Sequence, residues 1–160
     1  MRKIKIYIFH PYSRIGGADL TISRLINNLN PQKYEMHFIC LGYPYIKNYL
    51  KKVIKITSLN NKRSITAIPK IRKIIIDNYI NDLKYEKVIF ISNQNFANII
   101  SIFALSDFKH LKKILVERNN PIELDIIKNY KNKFIKRLIP LTYKYADKII
   151  GISNELSKDL

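Results

Sequence analysis

The chain reads as an α/β protein, a parallel sheet with helices on both faces. Three observations predict it. Short, nearly unbroken apolar runs alternate with segments of helical periodicity. The runs are rich in Ile, Val, Phe and Tyr, as strands buried on both faces are. The first run is followed by a glycine-bearing loop and then a helix, the geometry that presents free backbone N–H groups to an anion.

The first strand is Ile4 to Phe9. Gly16-Gly17-Ala18 follows, then a helix from about Asp19 to Leu29, with Ala18, Ile22, Leu25, Ile26 and Leu29 on one apolar face. Asp19 puts a negative charge in the first turn, where the helix end is positive. Asn30-Pro31 stops the helix. Two of the four glycines sit in this loop, where they remove the Cβ atoms that would hold a ligand off the backbone. A tight turn that merely needs glycine is the competing reading. The dinucleotide fingerprint G-x-G-x-x-G is absent.

Tyr34 to Leu41 is the second strand, ending at Gly42. A loop and a short helix run from Tyr43 to Leu50, and Val53 to Ile56 is a short third strand. Pro69 suits the first turn of a helix to about Leu83, with Ile68, Ile71, Ile75 and Tyr79 on one face. Lys87 to Ser92 is the fourth strand, and Phe96 to Leu105 a helix. Lys113 to Glu117 is the fifth strand. A basic helical stretch from Ile122 to Ala146 should break or kink before Pro140. Lys148 to Ile152 is the sixth strand, and Ser153 has the character of an N-cap. The last helix would stop at Leu160 after about seven residues, too short to stand alone. The expectation is the front part of a longer protein.

Ligands of parallel sheets bind outside the carboxyl ends of the strands. The loops there hold Arg14 to Gly17, Ser92 to Asn95, Arg118 to Asn120, and Ser153. At 160 residues the chain is one domain, and no apolar run reaches the roughly 20 residues that cross a bilayer. The single Cys40 excludes an internal disulfide and supplies no metal cluster, so a cytoplasmic protein is the simplest inference.

The formal net charge is +17, unevenly spread. From Met36 to Ile76 there is no acidic residue, and from Ile126 to Lys148 there are seven basic residues against Asp147. Nucleic acid, an anionic membrane and phosphorylated small molecules are the partner classes this suggests, beside a merely solvated face. No nucleic-acid-binding module matches the pattern, so nucleic acid is not the expected partner. A stand-alone nucleotide-binding domain lacks the third glycine and the acidic residue about 20 positions on.

The order of motifs resembles the N-terminal domain of family-four glycosyltransferases, which have the GT-B fold with Rossmann-like halves. The Lys3 to Ile6 strand, Gly16-Gly17-Ala18 and the following helix carry the first match. Ile91-Ser92 with Asn98 is similar to the family's "S-F … N-I" segment. Val116-Glu117-Arg118-Asn119-Asn120-Pro121 resembles "S-E-R-N-D-P", and Tyr145 to Ser153 resembles "A-D-x-I-I-x-x-S". The resemblance implies transfer of a sugar, a hexose type with retained configuration, from a nucleotide-sugar to a glycan or lipid-linked acceptor. It implies an acceptor-side domain at 1–160, inactive alone, and a separate donor-binding domain. Gly16 and Gly17 would face the donor diphosphate. Arg14, Asn93, Asn95, Arg118, Asn119 and Ser153 would line the acceptor or sugar cleft. No catalytic residue is assigned, since the cleft histidine of many relatives has no counterpart in the matching loops. His10, at the end of the first strand, reads as structural. No Asp-x-Asp pair supports a metal-held diphosphate, so neither metal nor cofactor is expected. Acceptors made at the cytoplasmic leaflet would suit peripheral attachment to the inner face of a membrane. The basic stretches Lys47 to Arg63 and Lys128 to Lys144 would provide it, with Lys131, Lys133, Lys136 and Arg137 in contact.

Overall fold

The computed structural model describes residues 2–12, 16–61, 63–118, 130–153 and 156; Arg14, Asn119 and the motif positions Asn120 and Pro121 lie outside them. Six parallel strands form one sheet: β1 (Ile4–Phe9), β2 (Tyr34–Cys40), β3 (Lys55–Ser58), β4 (Lys87–Asn93), β5 (Leu111–Glu117) and β6 (Lys148–Gly151), in the spatial order β3-β2-β1-β4-β5-β6. The helices are α1 (Gly17–Asn28), α2 (Ile68–Asp82), α3 (Asn95–Leu105) and α4 (Tyr130–Tyr143), with 3₁₀ turns at Tyr45–Tyr49 and Ser64–Ala67.

Alternation along β1 explains the two cores. Ile6 and Ile8 point to one face and pack with Ile22 and Ile26 of α1, Phe38 and Ile46. Tyr7 and Phe9 point to the other and pack with Ile71 and Ile75 of α2 and Ala97 and Ile100 of α3. Ile135, Ile139 and Tyr143 of α4 extend that second layer over Leu115 and α3. Thus α1 covers one face, while α2, α3 and α4 cover the other.

Four features differ from the sequence reading. The third strand lies two residues later, because ladder pairing begins at His37 with Lys55, and Val53 is fully exposed with nothing to pack on. Strand β5 begins at Leu111, two residues earlier, since Leu111 already pairs with Val88. Leu25 is 43 % exposed, and the small Ser23 takes its place on the buried side of α1, donating to Leu20 O at 2.9 Å. Helix α4 runs through Pro140 without a break. Lys136 and Pro140 both lie on its exposed side, where water can serve the carbonyl that proline leaves free.

Several polar groups inside the sheet are paired. The Tyr7 hydroxyl donates to both Asp82 carboxylate oxygens at 3.1 and 2.9 Å, and Lys5 pairs with Glu35 at 2.6 Å. His37 is buried, with Nε2 2.8 Å from Thr57 Oγ1. Burial, and then the nearby charges of Lys55 and Lys5, push its pKa down from 6.5 to about 3. A neutral buried imidazole is fully compatible with the fold above the unfolded pKa. As pH falls from 6.5 toward 3, only the unfolded chain takes up this proton, and stability declines. Urea titrations at stepped pH should show that decline, at most about 1.4 kcal/mol per pH unit for one proton. His37→Gln should flatten it, and an unchanged slope in the variant would contradict the assignment.

Candidate functional site

The strand order reverses between β1 and β4, so the chain leaves their carboxyl ends in opposite directions and opens a crevice there. His10 follows β1, Asn93 ends β4, Arg118 follows β5, and Gly16-Gly17 begin α1 beside them.

Gly16 is extended (φ −115°, ψ 178°), and no glycine among the described residues has positive φ. A Cβ at either Gly16 or Gly17 would meet nothing within 4 Å among the described residues. The backbone therefore does not require glycine here, and no described residue fills the space in front of the pair. This removes the main support for the tight-turn reading. The first helical bond of α1 runs from Leu20 N–H to Gly16 O at 3.1 Å, so the N–H groups of Gly17 and Ala18 precede it at the helix start.

Asp19 does more than complement the helix end. It is 98 % buried in effect, at 2 % exposure, and its Oδ2 accepts the Gly16 N–H at 3.2 Å. Its Oδ1 lies 3.7 Å from His10 Nε2. His10 is buried, which holds its pKa below the ordinary value; Asp19 opposes that shift and the positive charge of Arg118 adds to it. Burial lowers the Arg118 pKa, with the Asp19 charge working against it. His10, Asp19 and Arg118 therefore share one electrostatic environment behind the glycine pair.

Arg118 is anchored by Asn93, whose Oδ1 accepts Nη2 at 3.1 Å and Nε at 3.4 Å. The Asn93 amide nitrogen is buried with no hydrogen-bond partner among the described residues. Gln94 takes φ +81°, a strained conformation for a residue with a Cβ, and turns the chain from β4 into α3. Its N–H donates to Val116 O at 3.0 Å, and its carbonyl accepts Asn98 N–H at 2.8 Å.

Beneath Arg118 lies a buried network built from the family-like motifs. Ser92 Oγ donates to Asn98 Oδ1 at 2.6 Å, and Asn98 Nδ2 donates to Tyr143 OH at 3.0 Å and Val116 O at 3.2 Å. The Tyr143 hydroxyl donates to Glu117 Oε2, and Glu117 Oε1 accepts the Arg118 N–H at 3.0 Å. Burial and the Glu117 charge push the Tyr143 pKa up. Ser92, Asn98 and Glu117 are therefore supports that fix Arg118, not groups that face a ligand. The signal for this was in the sequence: Glu117 falls on an inward position of the alternating β5 pattern, and a carboxylate there needs donors.

Two expected cleft residues serve local structure. Asn95 Oδ1 accepts the Phe96 N–H at 2.6 Å at the start of α3, and Ser153 Oγ accepts the Leu156 N–H at 3.1 Å, the N-cap bond expected of it. Lys133, Lys136 and Arg137 are exposed on α4; the Lys131 side chain is outside the described set. Surface depressions of about 470 and 550 Å³ lie elsewhere, one along Lys3, Glu35 and Lys52, the other between Arg72, Tyr79 and Phe108.

No family model matches the chain, and no curated protein matches it. Among solved structures it is similar to the apo form of a lipopolysaccharide outer core galactosyltransferase, WaaB, at 22% sequence identity and TM-score 0.58. The match covers 98% of this chain and 41% of that one, so the chain spans less than half the length of that enzyme. The fold is that of a GT-B glycosyltransferase domain, a six-stranded Rossmann-like parallel sheet with helices on both faces.

Replacing Tyr143 with Phe should leave Glu117 short of a donor and cost about 1–3 kcal/mol of stability in urea unfolding. A loss under about 0.5 kcal/mol, within the usual range for an uninvolved surface position, would show that the network is not needed.

Proposed function

We propose that the chain is the acceptor-side domain of a glycosyltransferase that moves a hexose from a nucleotide-sugar to a glycan or lipid-linked acceptor. The observation that carries this reading is the meeting of Asn93 and Arg118 beside Asp19, which holds the Gly16 amide, at the switch point of a GT-B fold. Breaking a sugar–diphosphate bond builds negative charge on the leaving group. Preoriented N–H donors and a fixed guanidinium stabilise such charge. The first turn of α1 offers the donors, although Asp19 already occupies the Gly16 N–H. That leaves Gly17 and Ala18 as the amides proposed to approach the diphosphate. Asn93 Nδ2, buried and without a partner among the described residues, is a donor for a sugar hydroxyl or phosphate oxygen reaching the crevice floor. A carboxylate resident at the helix end also disfavours tight binding of a free anion to this half alone. The reading accordingly places the main donor contacts on a further domain, and expects no metal or cofactor.

The test uses two polypeptides: the 160-residue chain, and one continued by a donor-binding domain. Labelled nucleotide-sugars should give transfer only with the continued one. There Arg118→Ala should lower kcat/KM by roughly 10²- to 10³-fold, the scale of losing one transition-state donor. Transfer by the 160-residue chain alone, or an Arg118→Ala variant with full activity, would refute the proposal.

A further inference from the structure

Helix α2 leaves an apolar stripe uncovered. Its inner side packs on the sheet through Ile71 and Ile75. On its outer side Ile76, Tyr79, Ile80 and Leu83 follow one another at helical spacing and are 43 to 83 % exposed. Leu83 is the C-cap, still helical (φ −63°, ψ −20°), and its N–H donates to Tyr79 O at 3.2 Å. Among the described residues α1 and α4 each expose two large apolar side chains and α3 exposes one. Four in one line form the pattern that packs against another helix.

The charges on this face are ordered too. From Ile74 to Leu83 there is no basic residue, and Lys73 and Lys84 stand at the two ends. Asp77 is exposed; it and Glu86 are the acidic residues whose side chains take no hydrogen bond or ion pair among the described residues. Asp77 lies about 100° round the helix from Ile76 and Lys84 about 80°, so both stand on one flank of the stripe. An antiparallel pairing of two α2 helices about a two-fold axis at Ile80 makes this pattern complementary to itself. Such an axis brings together positions whose midpoint is near 80. Ile76 and Leu83 have the midpoint 79.5, and Asp77 and Lys84 the midpoint 80.5. The axis also sets equal flanks side by side, so each Asp77 meets the Lys84 of the other copy. On the opposite flank, the depression of about 550 Å³ between Arg72, Tyr79, Phe108 and His110 opens beside Ile76, where Leu83 of the second copy enters.

We infer that two copies of this chain pair through the outer face of α2, Ile80 against Ile80. An anionic lipid surface is the poorer occupant, because its headgroups would meet the unpaired Asp77. The net charge of +17 on each copy opposes pairing at long range, but the stripe itself carries none of the lysines or arginines. This part of α2 leads into the amino end of β4, whereas the crevice lies at the carboxyl ends of the strands, so the contact leaves both crevices clear. The inference does not rest on the glycosyl-transfer reading.

Sedimentation equilibrium of the 160-residue chain tests this. At about 0.3 M salt the Debye length is roughly 6 Å, so distant charges are screened and contact pairs much less. A monomer–dimer equilibrium should appear. Ile80→Lys sets two like charges against each other at the axis and should raise the dissociation constant on the order of 100-fold. Melting of the dilute monomer should be unchanged, since Ile80 is exposed. Asp77→Lys should raise the constant about 10-fold, and Asp77→Lys/Lys84→Asp should return it to within about threefold of the parent, because the exchanged charges still meet across the axis. Ile80→Cys should close a disulfide between copies on mild oxidation, with the buried Cys40 not competing. Any of four results overturns the inference: a parent chain that stays monomeric up to about 1 mM; an unchanged constant in Ile80→Lys; no recovery in the exchanged double variant; or no cross-link in Ile80→Cys. A monomeric parent whose sedimentation with phosphatidylglycerol vesicles is abolished by Ile76→Ser/Leu83→Ser overturns it by assigning the face to lipid.

Discussion

The buried carboxylate of Glu117 is the constraint that shapes the crevice. A carboxylate taken out of water must find donors or it destabilises the fold by several kcal/mol. Here the donors come from three directions: the Tyr143 hydroxyl on α4, the Arg118 amide that follows it, and Asn98 on α3, whose amide nitrogen reaches Oε2 at 3.5 Å. Satisfying one charge therefore locks β5, α3 and α4 together. Ser92 adds β4 through Asn98. The result is that Arg118 leaves β5 in a fixed direction, toward Asn93 and the environment of Asp19.

The acidic residues are few, and most that the structure describes are engaged internally. Glu35 pairs with Lys5, Asp82 with Tyr7, Asp107 with Arg72 at 2.6 Å and Asp147 with Lys112, while Asp19 and Glu117 lie at the crevice. Each of the three ion pairs also takes up a Lys or Arg, so the excess of +17 stays with the remaining basic side chains. Self-repulsion of that size favours anionic partners and high ionic strength. The same scarcity explains why a single carboxylate, Asp19, sets the field for both His10 and Arg118.

Much of this was legible in the sequence, because parallel strands buried on both faces leave unbroken apolar runs. Strands β1, β2, β4 and β6 and helix α3 fall within a residue of their expected bounds. The misses have physical causes. Val53 is β-branched but has no ladder partner, so composition alone placed the third strand too early. Leu25 has the right helical spacing, yet the buried arc of α1 is narrow and a serine fills it. Pro140 sits where water can replace the lost bond. At the site, residue type identified Asn93 and Arg118, which do meet. It also named Asn95 and Ser153, whose side chains accept the backbone N–H groups of Phe96 and Leu156. Asx and serine side chains suit a ligand and a helix cap equally well, and only the observed bonds separate the two. His10 and Asp19 are far apart in role by sequence, but the turn from β1 into α1 brings them within 3.7 Å.

The central claim is that the glycine pair keeps a ligand path open and is not there to let the chain fold. Gly17 has ordinary backbone geometry and open space before it, so Gly17→Val is the direct test, made in a polypeptide that also carries a donor-binding domain. Turnover and melting temperature are measured on one preparation. The account predicts a melting temperature near that of the parent with turnover strongly reduced, because the new side chain fills the approach to the first-turn amides. A lower melting temperature, with activity falling only in proportion to folded protein, would contradict it.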